Sequence, residues 1–66
     1  MAILKVIEIL ANSDTSWEDA TKKAVKHASK TVKNIKSVYV QDQSAIVKND
    51  EVTEFRVNIK ITFEVN

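Results

Sequence analysis

Asp14, Glu18 and Asp19 crowd into the stretch "NSDTSWED", with Asn12 and Ser13 at its start. Oxygen donors of this kind suit a hard cation, because calcium takes six to eight oxygens at about 2.3–2.6 Å. The stretch lacks the glycine of a calcium loop. The same residues also suit a helix start. Thr15 stands three positions before Glu18, as in a capping box, and Ser16 is an equally good cap. Carboxylates here would also complement the positive end of the helix dipole. At this level both readings stand: a metal site at Asp14, Glu18 and Asp19, or a capped helix with no metal.

Other chemistry is sparse. Cysteine is absent, which excludes disulfides, thiolate metal sites and a thiol nucleophile. The single histidine, His27, has no Ser or Asp partner at a diagnostic spacing, so no enzyme is expected. Glycine is also absent, and with it any glycine-rich phosphate loop. Lys22, Lys23, Lys26, Lys30 and Lys33 recur at helical spacing. No aromatic residue interleaves them and the net charge is only +1, so they read as a solvated face and no nucleic-acid partner is expected. Arg56 is the only arginine. It would take an anionic ligand, or pair with Glu54 or with an acid of another subunit.

The apolar start "MAILKVIEIL" is broken by Lys5 and Glu8. It reads neither as a signal peptide nor as a membrane span, and the expected address is cytoplasmic.

The elements that position these groups follow from the periodicities. In "EFRVNIKITFEVN", Glu54 to Asn66, apolar residues alternate with polar ones. Twelve such positions span about 40 Å as a strand. A compact domain of this length is only about 28 Å across. A domain this small buries only ~60% of its unfolded surface. With no disulfide available, oligomerisation is the remaining support. Ile3 to Leu10 reads as a first strand. A helix is expected from about Ser16 to about Lys33, with a narrow stripe of Trp17, Ala20, Ala24, Ala28, Thr31 or Val32, and Ile35. A second strand should run from about Lys36 to Lys48, with a bulge between Gln41 and Ala45. Asn49 and Asp50 tolerate positive φ and suit the hairpin turn before the last strand. The expected fold is α+β: one domain over residues 1–66, ordered β-α-β-β, with a three-stranded antiparallel sheet around one helix.

The segments "KVIEIL", "SWEDA", "TVKNIKSVYV" and "EFRVNIKITFEV" together resemble the dodecin family over essentially the whole chain. That resemblance implies a hollow homododecamer in which each sheet wraps its helix. It implies binding or storage of a flavin (riboflavin, FMN or FAD) and no catalysis. In flavin-binding members a Trp early in the second strand stacks on the ring. A Gln after an aromatic residue in the last strand bonds the ring edge.

This register places Ser37 at the Trp position and Arg56, after Phe55, at the Gln position. Ring stacking is worth ~1–3 kcal/mol, so Ser37 should cost about one to two decades of affinity. Arg56 offers donors only, where Gln offers a donor and an acceptor. A family subset without the Trp, with Arg in this place and with "SW" at the helix start, is described as calcium-binding. The implied function is a small-ligand-binding shell whose flavin site is weakened. The alternatives are a calcium-binding shell, or a structural assembly without a flavin.

Overall fold

The computed structural model describes residues 2–65. β1 spans Ile3–Ser13, α1 Trp17–Ala28, β2 Ile35–Lys48 and β3 Glu51–Val65. The three strands form one sheet in the order β1-β3-β2, and both pairings are antiparallel. The expected β-α-β-β architecture is what the chain adopts. Met1 and the expected end of the last strand at Asn66 lie outside the described residues.

The central strand dictates the shape. β3 has 15 residues, which at ~3.3 Å each reach about 50 Å. The molecule measures 51 × 20 × 13 Å, so one strand runs its full length. Its radius of gyration is 13.5 Å, against about 11 Å for a compact chain of this size.

The alternation in β3 places Val57, Ile59 and Ile61 on one face, where all three are fully buried. Ala20, Ala24 and Ala28, four residues apart on α1, cover them. Methyl-sized side chains let the helix axis lie close to the sheet. Ile7, Ile9, Ala11, Val25, Ile35 and Val40 seal the margins of this core.

The start of α1 matches the sequence expectation and its end does not. Ser16, with extended backbone (φ −170°, ψ 165°), is the cap, and its hydroxyl oxygen accepts from the Asp19 N–H at 2.9 Å. The Thr15–Glu18 box is not used. The helix ends at Ala28 and not at Lys33. The Ser29 hydroxyl donates to the Lys26 carbonyl at 2.6 Å, and the Val32 N–H turns back to Ala28 O at 2.8 Å. Side chains of this type compete with the helical ladder. Asn34, at φ 60°, then turns the chain so that Ile35 can pair with Phe63. Val32 and Ile35 continue the apolar period of the helix, but Ile35 is spent on the sheet.

The strands outrun their expected bounds. β1 extends past Leu10 to Ser13 because β3 still offers partners there: Ala11 meets Val57, Asn12 meets Arg56 and Ser13 meets Phe55. β3 begins at Glu51, three residues before the regular alternation. The expected irregularity in β2 falls between Val40 and Asp42, and further register shifts lie between Ile35 and Ser37 and between Ile46 and Val47. The hairpin turn is Asn49 (φ 52°) and Asp50 (φ 64°), the paired positive φ values of a type I′ turn.

The surface is larger than the mass requires. The chain exposes 4949 Å², whereas a folded monomer of its 7.5 kDa should expose about 4,250 Å². Apolar side chains contribute, among them Leu4, Val6 and Leu10 of β1 and Tyr39 of β2. Among the described residues no helix is long and apolar enough to cross a membrane.

Candidate functional site

Arg56 lies in the middle of the sheet, on the face away from α1. Its strand neighbours Phe55 and Val57 point to the helix side. Directly across from it stand Asn12 on β1 and Ser44 on β2. The Arg56 Nε donates to Asn12 Oδ1 at 3.0 Å. The pairing with Glu54 that the sequence allowed is not formed, and among the described residues Arg56 has no ion-pair partner. Arg56 is an exposed residue, and among the described residues its side chain makes no other hydrogen bond.

The backbone beneath this arginine is pinned from the helix side. Trp17, the first residue of α1, meets the Phe55 ring edge-on, with centroids 5.0 Å apart at 76°. Its indole Nε1 donates to the Ser44 carbonyl at 2.8 Å. One tryptophan therefore fixes both the residue before Arg56 and the residue opposite it. Phe55 is half-buried in this contact. Beside Arg56 on β3, Asn58 sits between Leu10 and Asp42, with its Oδ1 buried and without a partner.

Ser37 is elsewhere. It is exposed and pairs with Thr62, six positions along β3 from Arg56, or about 20 Å at strand spacing. One chain does not bring Ser37 and Arg56 together, and the residue across the hairpin from Arg56 is Ser44. Among the described residues no pocket is enclosed by the single chain.

The acidic helix start is engaged locally. Ser13 is buried, and its hydroxyl donates to Asp19 Oδ2 at 2.6 Å. Ser13 Oγ in turn accepts from the Thr15 N–H at 2.9 Å and the Ser16 N–H at 3.4 Å. Asp19 also pairs with Lys23 at 3.0 Å, and Glu18 with Lys22 at 3.0 Å. The Ser13 hydrogen bond, then Lys23, holds the Asp19 carboxyl below the ordinary aspartate range. Asp19 in turn raises the Lys23 ammonium above the usual lysine range. Asp14 accepts from the Thr15 hydroxyl at 3.2 Å. Among the described residues no three His, Asp or Glu side chains gather as a metal-binding group. Two of the three candidate carboxylates already have a lysine beside them, a poor setting for a dication within one chain.

His27, Lys22, Lys23, Lys26, Lys30 and Lys33 are all exposed. Sequence reasoning missed the Asn12–Arg56 bond, the double role of Trp17 and the orphaned Asn58 oxygen. The Ser13 turn carried a local signal, a serine three residues before a second serine cap.

Comparison with known proteins gives one consistent result. The Dodecin family model matches residues 3–66. The calcium dodecin of Mycobacterium tuberculosis is 32% identical over 65 residues, covering 98% of this chain and 92% of that protein. A crystal structure of calcium dodecin from that organism, described as calcium-chelating, superposes with TM-score 0.84 at 31% identity, covering 97% of this chain and 91% of the other. A protein of Thermus thermophilus matches with TM-score 0.93 at 21% identity, over 100% and 97% of the two chains. The dodecin of Streptomyces davaonensis gives 0.93 at 18%, over 98% and 96%. These last two speak for the fold alone. The strand order, the alanine-faced helix and a family match over nearly every residue agree: the chain belongs to the dodecin family.

Proposed function

We propose that this protein is a non-enzymatic, small-ligand-binding or storage protein of the dodecin type, working as a homododecamer in which flavin binding is weak. The observation that carries the ligand reading is the pair of side chains at the family's flavin-contact positions, Ser37 and Arg56. Ser37 presents no ring to stack on, and Arg56 presents donors without an acceptor. Neither fits an isoalloxazine ring. The separation of these two residues along β3 means that a site containing both draws on more than one subunit. The strand as long as the molecule and the surface roughly 700 Å² above the monomer expectation support assembly.

The test is a titration of the purified protein with riboflavin and with FMN, followed by flavin fluorescence. Little quenching is expected, and tight stoichiometric quenching would contradict the reading.

A second reading, a calcium-binding shell, is favoured by the 32% identity to a protein named calcium dodecin and by the oxygen-rich segment Ser13–Asp19. The lysines beside Glu18 and Asp19 mean that such a site needs oxygens from more than one chain. Calorimetry with calcium on the native protein, Asp14→Asn and Glu18→Gln tests it. A binding heat that neither substitution changes removes both residues from the site.

A further inference from the structure

We propose that Arg56 is an oxyanion anchor, and that the ligand this shell takes carries a carboxylate or phosphate group. The inference rests on the ligand-binding reading above and names the chemical class that the site would hold.

Three observations carry it. The first is orientation. The Asn12 amide oxygen takes the Nε–H of Arg56, which leaves the two terminal nitrogens as a fork at the far end of the guanidinium. A planar or tetrahedral oxyanion accepts two parallel hydrogen bonds from such a fork. The second is charge. The groups directly across from Arg56 on both neighbouring strands, Asn12 and Ser44, are neutral. The nearest acid on its own strand and face, Glu54, makes no ion pair with it. By contrast, Lys60, the next cation on this face, stands opposite Glu8. Asp42, one pair along on β2 and opposite Asn58, shares this face but makes no ion pair with Arg56, so among the described residues no carboxylate of the same chain holds its guanidinium. The third is rigidity. Trp17 holds Phe55 by its ring and Ser44 by its carbonyl, so the backbone under the arginine is fixed before any ligand arrives. Less ordering entropy is then lost on binding. Asn12 acts as a positioning residue and touches no ligand.

Because Arg56 is the only arginine, its side-chain Nε–H gives the single resonance of that kind in a sample labelled with 15N at arginine. The experiment adds inorganic phosphate in one arm and acetate in the other, with light scattering on the same samples. Binding is expected to shift the resonance saturably, and the stronger arm identifies the oxyanion class. Arg56→Lys, read by calorimetry, should lose about tenfold or more in affinity. Asn12→Ala should lose about threefold to tenfold, with the Nε–H resonance moving in the free protein. An assembled protein with no saturable shift for either anion overturns the anchor and leaves the proposed shell standing. A saturable shift in a protein that scatters as a monomer supports the anchor and overturns the shell. Affinity unchanged in both variants also overturns the anchor.

Discussion

A ring at position 37 would supply the stacking surface that the Ser37 hydroxyl cannot. Ser37→Trp is therefore expected to raise flavin affinity by about one to two decades, from the ~1–3 kcal/mol of ring stacking. Arg56→Gln should add to the gain by restoring an acceptor. Fluorescence quenching measures both, and a double variant no better than the native chain would separate these positions from the ligand. Asp19 makes a second prediction. Its folded pKa lies below the ordinary value, so its contribution to stability is present above about pH 4 and is lost as the pH falls through the depressed value. Asp19→Asn should flatten the acid limb of a melting-temperature profile below about pH 4. The chemistry of single residues was legible in the sequence, but their partners were not. Arg56 and Asn12 lie 44 residues apart, and their contact depends on the β1–β3 register, which one-sequence periodicity does not set. The cap was legible to within a residue because its bonds are local.

Among the elements, α1 is held by its small residues as much as by its large ones. Ala24 is 6% exposed and lies against the fully buried Ile59 row. Ala24→Leu should push the helix off the sheet and cost about 1–3 kcal/mol, seen as a lower midpoint in chemical denaturation. An unchanged midpoint would show that the helix does not lie as close as the alanine stripe implies. At the hairpin, Asp50 holds φ 64°, so Asp50→Gly should stabilise by a few tenths to about 1 kcal/mol. The long strand β3 was plain from its strict alternation, and the turn from Asn49 and Asp50. The helix end was not, because Val32 and Ile35 keep the helical period while Ile35 serves the sheet. Only the competing bonds of Ser29 and the positive φ of Asn34 decide the matter, and both depend on where β2 must begin.

At the scale of the molecule, a chain 51 Å long and 13 Å thin has a small interior. Its fully buried side chains of any size are Ile59, Ile61 and Val57. Leu10 and Tyr39 remain 69% and 66% exposed. Small chains commonly draw on disulfides, a metal or partners, and this one has no cysteine. The mismatch between strand length and domain size was visible in the sequence before any fold was assigned, whereas the faces that meet in an assembly are not written in a single chain. We propose that other copies of the chain complete the sheet. Static light scattering on the purified protein tests it most directly. A mass about twelve times the 7.5 kDa of one chain is expected, and a monomer or a dimer would contradict the assembly.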